Sequence, residues 1–272
     1  MTYVRLFLDN KRIISFGFLL TLFSSAGQTF FLSLYVNSIL LDFHLTNASF
    51  GALYSAATIL SAIALACAGR FIDYYNLRTY AMVSSGLLAA SCLVTALSRN
   101  IILLFIGLWG LRFAGQGLLS HISSTSMAKF FTDKRGKALS VSVLGYALGE
   151  GLLPVIITGV ILLAGWRQSM LICSVFICGS LMPFIWFTLG KKHLQYFPDN
   201  ADTGPMEAGF DARALLKSRG FLLIAANFSI LPCVITGLFV YQQALAAEKM
   251  WPMGWLARPV SWVTRDAGPC FA

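Results

Sequence analysis

The sequence predicts an all-α integral membrane protein, and its composition, run lengths and charge placement support that prediction. Of the 272 residues, 57% are hydrophobic and 11% are charged, and the mean hydropathy is +0.74. Soluble domains carry about 25% charged residues, so this composition excludes soluble enzymes, disordered chains and disulfide scaffolds. Apolar stretches of about 20 residues or more indicate spanning helices rather than the ~10-residue alternation of barrel strands.

Seven apolar runs predict seven transmembrane helices. The first run follows Arg5, Lys11 and Arg12. It is too long for a signal peptide and no small-residue cleavage pattern follows it, so we expect it to be retained. The predicted helices cover residues 13–41, 49–72, 79–97, 101–128, 136–164, 168–189 and 221–245.

These runs divide the chain into four parts. Residues 1–189 are predicted to form a six-helix bundle, 190–220 a polar linker, 221–245 a seventh helix, and 246–272 an atypical tail. The tail holds Trp251, Trp255 and Trp262 but no apolar run long enough to cross a membrane. It is interpreted either as an interfacial Trp belt or as a truncated or frame-shifted end, and both interpretations stay open.

Basic residues alternate between the connections. The N-terminus and the second, fourth and sixth connections carry fourteen Lys and Arg, whereas the first, third and fifth carry only Arg99 and Arg167. This alternation follows the positive-inside rule. It predicts a multi-pass protein of the plasma (inner) membrane with a cytoplasmic N-terminus, and it explains the net charge of +9 without nucleic acid as a partner.

Two ionisable residues lie deep inside predicted helices, Arg112 in the fourth and Glu150 in the fifth. Each lies about 16–21 Å from its end of the helix, near the middle of a ~30 Å hydrocarbon core. Because charge in hydrocarbon is costly, both are functional candidates. We expect them to pair or to face one aqueous cavity, and the alternative is an ion pair that only locks the two helices.

The chemistry of this pair favours an organic anion as the bound solute. A guanidinium group stays charged when buried and holds a carboxylate by two parallel hydrogen bonds. Glu150 is then the expected carrier of a coupled proton. No nucleotide loop, metal cluster or cofactor motif is present in the sequence, so no cofactor, metal or catalytic residue is expected. An intramembrane hydrolase is disfavoured because no G-x-S-x-G occurs.

Polar residues share one face on each of two predicted helices. At 100° per residue, the members are Gln116, Ser120 and Ser123 beside Arg112, and Thr21, Ser24, Gln28 and Tyr35 on the first helix. We expect these faces to border a water-filled path for substrate and proton, and the residues predicted to line it are Arg112, Glu150, Gln116, Gln28, Tyr35 and Ser123. The alternative is that the polar groups form interhelical hydrogen bonds worth ~0.6 kcal/mol each. His121 falls opposite Arg112 and is expected to pack, and Gly145 and Gly149 have the spacing of close helix packing.

The segment GRFIDYYNLR at 69–78 resembles the loop signature of the major facilitator superfamily, G-x-L-a-D-r-x-G-r-[kr]. Gly69, Asp73 and Arg78 match. Asn76 takes the place of the second glycine, and Asn tolerates the left-handed turn expected there.

RFAGQG at 112–117 is similar to the fourth-helix motif R-x-x-q-G, with Arg112 in register and the rest displaced by one place. GYALGEGLLP at 145–154 is loosely similar to the fifth-helix motif. GQTFF at 27–31, with 112–117, most resembles the monocarboxylate and oxalate–formate porter branch.

The resemblance implies two six-helix halves, each a pair of inverted three-helix repeats. This chain would supply the N-terminal half and one further helix, with Gly27-Gln28 and Gly115-Gln116 at corresponding places of the two repeats. It implies secondary active transport by alternating access, in which Asp73 latches the halves while Arg78 and Arg135 supply complementary charge. The alternative is a truncated, non-transporting half-protein, and a half that does transport would need to homodimerise.

Overall fold

The computed structural model describes residues 8–189 and 217–250. Within these ranges the chain is helical and forms no strand, and seven helices are long and apolar enough to cross a membrane. They are α1 (Lys11–Ser33), α2 (Asn47–Asp73), α3 (Leu77–Leu97), α4 (Ile101–Phe130), α5 (Arg135–Ala164), α6 (Trp166–Thr188) and α7 (Arg219–Glu248). The all-α membrane class is thereby confirmed, while most of the predicted linker and the tail beyond residue 250 lie outside the described residues.

Polar caps and left-handed residues determine where several helices begin and end. The Oγ1 atom of Thr46 accepts a hydrogen bond from the backbone N–H of Ser49 at 3.1 Å, so Thr46 caps the start of α2. His44 before it has φ 52°, and Gly165 between α5 and α6 has φ 87°. Thr46 and His44 lie in the connection between α1 and α2, and Gly165 forms the connection between α5 and α6. Because such connections are short, the helices that they join run antiparallel.

Asn76 does not adopt the left-handed turn expected at the second glycine position of the loop signature. Its φ and ψ are −55° and 126°. The Oδ1 atom of Asn76 accepts a hydrogen bond from the N–H of Arg78 at 2.9 Å, so the residue caps the start of α3. That expectation is wrong because an N-cap, for which Asn is well suited, takes the place of the turn.

α1 is the centre of the bundle. In its most apolar window 67% of the residues are buried, against 11% for α5 and 6% for α7. The α1 helix packs on α4 and α5, while α3 packs on α4 and α6. Where α5 crosses α1, a Cβ atom on Gly145 would lie 2.8 Å from Leu22 N, and one on Gly149 would lie 3.0 Å from Ser25 Cβ. The predicted close packing of these two glycines is thus observed.

The α1 helix is broken near its middle. The α-helix Lys11–Ser24 passes into a 3₁₀ turn, Ser25–Gly27, and Gln28 is extended with φ −79° and ψ 156°. Helix then resumes at Thr29–Ser33 and, after a further turn, at Val36–Phe43, and these two segments together are called the second half of α1. The α4 helix is irregular too, because Leu111–Leu119 is π-helical. π-Helical turns inside α-helices are frequent at functional sites.

The α7 helix is attached to the second half of α1. Its main contacts fall on Thr29–Ser33 and Val36–Phe43. Phe239 faces Phe30 with ring centroids 6.4 Å apart. Residues 219–235 of α7 are mostly exposed, so the part of α7 nearest the linker stands away from the bundle.

Candidate functional site

The candidate site lies where α1 and α4 cross. A Cβ atom on Gly27 would lie 2.6 Å from Gln116 N and 2.8 Å from Gly115 Cα, and one on Gly115 would lie 2.8 Å from Gly27 Cα. The glycines that occupy corresponding places in the two expected repeats are therefore in direct contact. The break in α1 and the π-helical segment of α4 both occur at this crossing.

Arg112 bridges the break in α1. It lies about 17 Å along α4 from Ile101, and 5% of its surface is exposed. Its Nη1 atom donates hydrogen bonds to Gly27 O at 3.1 Å and to Thr29 Oγ1 at 3.3 Å, which lie on either side of the extended Gln28. The guanidinium thus caps the carbonyl end of the first half of α1, where the helix dipole favours a cation.

One edge of the Arg112 guanidinium, formed by Nε and Nη2, remains available for a ligand. Both of its hydrogen bonds use Nη1, and Nε is buried with no hydrogen-bond partner among the described residues. Leaving a buried donor unpaired costs about 1–3 kcal/mol, and more when the group is charged. The Nε and Nη2 atoms form an edge that matches the two oxygens of a carboxylate.

Thr29 and Tyr54 complete the surroundings of Arg112, and the sequence interpretation did not single them out. The Tyr54 hydroxyl donates to Thr29 Oγ1 at 3.0 Å, and the Tyr54 ring centroid lies 5.2 Å from Arg112 Cζ, within cation–π range. Thr29 was missed because a continuous helix places it off the polar face. The run of weak helix formers Ser24, Ser25 and Gly27 is the signal that could have indicated a break.

Glu150 does not pair with Arg112 in this structure. The ion pairs within residues 8–189 and 217–250 join Lys129 to Asp73 and Arg167 to Asp42. The expected pair is absent because Arg112 points towards α1 and α2, whereas Glu150 is exposed on α5. Its neighbour Gly149 is the residue that packs on α1, and the next residue of a helix points about 100° away.

The two glutamines of the predicted path lie beside the crossing, and Ser123 does not. Gln28 and Gln116 follow the contacting glycines directly and are half-buried. Ser123 is fully buried. Its Oγ atom donates to Gly17 O at 2.8 Å and lies 2.6 Å from Ser142 Oγ. These are the interhelical hydrogen bonds of the alternative interpretation, and they join α1, α4 and α5.

Tyr35 lies apart from Arg112 as well. Its side chain is fully buried, and its hydroxyl lies 2.9 Å from Ser169 Oγ on α6. The extended Gln28 resets the helical phase, so residues after the break no longer share a face with those before it. Of the six predicted path residues, the structure therefore brings together Arg112, Gln28 and Gln116.

The loop signature binds α2 to α4 within the same bundle. Asp73 forms an ion pair with Lys129, and both side chains are partly exposed. His121 Nε2 lies 3.0 Å from Gly69 O, in keeping with the packing role expected for this histidine. The observed partner of Asp73 is thus a lysine at the end of α4 rather than Arg78 or Arg135.

The two arginines of the predicted latch have other contacts. Arg78 Cζ lies 3.3 Å from the centroid of the Trp186 ring, which joins α3 to the end of α6. Arg135 Nε donates to Ala128 O at 3.2 Å and so caps the end of α4. The latch assigned to these residues stays a prediction.

A polar clasp, consisting of Asp42, Trp166 and Arg167, joins helices at the other end of the bundle. Asp42 Oδ2 accepts hydrogen bonds from Trp166 Nε1 at 2.9 Å and from Arg167 Nε at 3.2 Å. Arg167 Nη1 also donates to Ala96 O at 2.9 Å, at the end of α3. The clasp therefore connects α1, α3 and α6.

A cavity of about 380 Å³ lies between α1, α5 and α6. Its lining is apolar apart from the Ser169 hydroxyl and the Cys173 thiol, and Phe23 and Phe176 stack beside it with ring centroids 5.6 Å apart. Such a lining offers nothing to an anion. Among the described residues, no three His, Cys, Asp or Glu side chains are grouped so that they could hold a metal ion.

Comparison with protein families supplies the remaining evidence. Residues 17–259 match the Major Facilitator Superfamily, a span that includes all seven membrane helices except the first turns of α1. No curated protein matches the chain. The match extends to the superfamily, and the monocarboxylate and oxalate–formate branch stays an interpretation of the residues. Proteins of this family carry small solutes across membranes and are not typically enzymes. The chain belongs to the major facilitator superfamily.

Proposed function

We propose that this chain takes part in secondary active transport of a small organic anion, and that Arg112 binds the anion. The observation that carries the proposal is the buried guanidinium at the crossing of α1 and α4, whose Nε atom has no hydrogen-bond partner within residues 8–189 and 217–250. A carboxylate placed against the Nε and Nη2 edge would supply the missing acceptors. Charge-assisted pairs of this kind are roughly twice as strong as neutral hydrogen bonds.

The backbone around Arg112 supports the same proposal. Non-helical backbone at membrane depth is tolerated where it is buried in protein or lines a cavity, and transporters place substrate sites at discontinuous helices near the midplane. The extended Gln28 and the π-helical Leu111–Leu119 are two such irregularities at one level. Gln28 and Gln116 are half-buried there and offer amide groups to a polar solute.

Glu150 is the proposed carrier of a coupled proton. Its carboxylate is exposed near the middle of α5, among the exposed apolar side chains of Leu148, Leu152 and Val155. A charged carboxylate facing hydrocarbon is costly. Glu150 therefore needs a bound proton, a water-filled space or a covering partner, and a site that takes up and releases a proton during transport meets this need.

The charges and the exposed faces of the protein support a proposal for its location and assembly. Basic residues concentrate at the start of α1 and at the α2–α3 and α4–α5 connections. We therefore propose that these three regions face the cytoplasm, and that the protein lies in the plasma (inner) membrane. Alternating access needs a second bundle against the first. The exposed faces of α5 and α7 are where a second bundle, or a second copy of this chain, would pack.

Counterflow of radiolabelled lactate and formate into proteoliposomes containing the full chain tests the proposal. Arg112→Gln should abolish uptake, and Arg112→Lys should retain only a small part of it because an ammonium cannot bind a carboxylate through two parallel bonds. Arg99→Gln is the matched control, since Arg99 is exposed in the α3–α4 connection. Uptake by Arg112→Gln equal to that of the control would refute the assignment.

Proton coupling needs its own comparison. Glu150→Gln should remove the pH dependence of lactate uptake while leaving binding intact, whereas Glu248→Gln, at the exposed end of α7, should leave it unchanged. An unchanged pH dependence in Glu150→Gln would remove Glu150 from the coupling role. If the unaltered chain shows no counterflow with either anion, the non-transporting half-protein is the better interpretation.

A further inference from the structure

The hydroxyl groups of Thr29 and Tyr54 form a short chain that ends on Arg112. Tyr54 on α2 donates to Thr29 Oγ1 at 3.0 Å, and Arg112 Nη1 donates to the same oxygen at 3.3 Å. Thr29 and Tyr54 are 8% and 3% exposed. A hydroxyl oxygen has two acceptor lone pairs, so both acceptor positions of Thr29 are occupied, and each of the three residues comes from a different helix.

These hydrogen bonds determine which atoms of Arg112 remain available. Thr29 Oγ1 and Gly27 O together hold Nη1, and the guanidinium is planar and rigid. Once Nη1 is held from two sides, the orientation of the Nε and Nη2 edge is determined as well. That edge carries the Nε atom, which has no hydrogen-bond partner in the part of the chain that the structure describes.

We propose that Thr29 and Tyr54 are positioning residues, which present the Nε and Nη2 edge of Arg112 to a carboxylate. This inference rests on the proposed binding of an organic anion by Arg112. Neither residue needs to touch the anion. Without the Thr29 hydroxyl, Gly27 O is the one acceptor left for Nη1. The guanidinium can then turn, and the anion accepts one hydrogen bond from Nη1 in place of two parallel hydrogen bonds from Nε and Nη2.

The arrangement also predicts a preference among anions. An edge with two parallel donors matches a planar carboxylate, whose two oxygens accept both bonds. The corresponding amide offers one acceptor oxygen, and its NH₂ group would face an N–H donor of the guanidinium. We therefore expect lactate to be recognised over lactamide, and we expect this discrimination to weaken when Thr29 loses its hydroxyl.

Conservative variants test the positioning role. Thr29→Val keeps the shape of the side chain and removes the hydroxyl, and Thr29→Ser restores it. The matched control is Thr95→Val, because the Thr95 hydroxyl is buried and bonds to Ser91 O within its own helix. Thr29→Val should raise the KM for lactate counterflow about tenfold, as expected for one hydrogen bond to a charged group, with the maximal rate within about twofold.

The outcomes separate positioning from a general structural effect. Thr29→Ser should return the KM to within about twofold of the unaltered chain, and Tyr54→Phe should raise it by about threefold, since it acts through Thr29. Tyr80→Phe, which loses a hydrogen bond to Ala68 O, should not change the KM. A KM for Thr29→Val equal to that of Thr95→Val, or no rescue by Thr29→Ser, overturns the proposal.

A chemical label distinguishes failure of this inference from failure of the proposed function. Phenylglyoxal modifies guanidinium groups, and mass spectrometry of the purified chain gives the rate at Arg112 itself. Lactate should protect Arg112 in the unaltered chain, and lack of both protection and counterflow would refute the proposed function. Thr29→Val should be modified about threefold faster without any lactate, because Arg112 has lost an acceptor. An unchanged labelling rate overturns the positioning role whatever the substrate.

Discussion

The contact between Gly27 and Gly115 leads to a prediction about stability. Gly27→Ala adds a single methyl group at the point where α1 and α4 are closest. That methyl carbon would lie 2.6 Å from Gln116 N and 2.8 Å from Gly115 Cα. Both obstacles are backbone atoms, and backbone cannot turn aside as the end of a flexible side chain can. The two helices must therefore separate or bend.

The size of the effect follows from this geometry. Overpacking a well-packed core costs typically about 1–3 kcal/mol, and we expect the upper part of that range because the obstacles are rigid. For a chain of this size, 1 kcal/mol shifts the melting temperature by about 2–4 °C. Gly27→Ala should therefore lower the melting temperature in detergent by about 6–12 °C.

Thermal unfolding of the purified chain, followed by the loss of helical circular dichroism, measures the shift. Gly159→Ala is the matched control, since a Cβ atom there meets nothing within 4 Å and alanine in a helix interior is favoured over glycine by roughly 0.5–1 kcal/mol. Gly115→Ala should resemble Gly27→Ala, because its Cβ atom meets Gly27. A melting temperature for Gly27→Ala equal to that of Gly159→Ala would refute the close crossing.

Three further predictions concern the polar contacts between helices. Asp42→Asn removes an ion pair with Arg167 that is partly exposed, so it should cost no more than about 1 kcal/mol, read as a melting-temperature change below about 4 °C; a larger loss would mean that the clasp is essential to folding. A double-mutant cycle of Ser123→Ala and Ser142→Ala should give a coupling energy of about 0.6 kcal/mol, and zero coupling would contradict their contact. Lys129→Gln should lower stability slightly at low salt and not at 1 M salt, where exposed ion pairs are screened, which melting curves at both salt concentrations would check.

Helix positions could be predicted closely from the sequence. The fourth helix was expected at 101–128 and is found at Ile101–Phe130, and the fifth was expected at 136–164 and is found at Arg135–Ala164. Polar caps and basic residues such as Asn100 and Arg135 border the apolar runs sharply. Run length in a membrane protein therefore carries most of the information about which residues span the bilayer.

The surroundings of the site could be predicted only in part. The sequence singled out Arg112, Gln28 and Gln116 because charged and amide side chains are uncommon inside apolar runs, and the structure brings these three residues together. The side chain direction of Glu150 could not be found, since lipid tails are as apolar as leucine and a lipid-facing side of a helix looks like a buried one. The surroundings of Tyr35 could not be predicted, because hydropathy does not report the extended backbone at Gln28, and one such residue changes the direction of every side chain after it.

The break at Gln28 has a mechanical consequence for α7. From Gln28 to Phe43 the first segment extends about 24 Å at 1.5 Å per residue, and α7 lies against this segment. A rotation of only about 10° at Gln28 would therefore displace the far end, together with the seventh helix resting on it, by about 4 Å. Any rotation of the second half of α1 about Gln28 would therefore carry α7 with it. Because Arg112 Nη1 holds Gly27 O and Thr29 Oγ1 on either side of Gln28, loss of these two hydrogen bonds would make such a rotation easier.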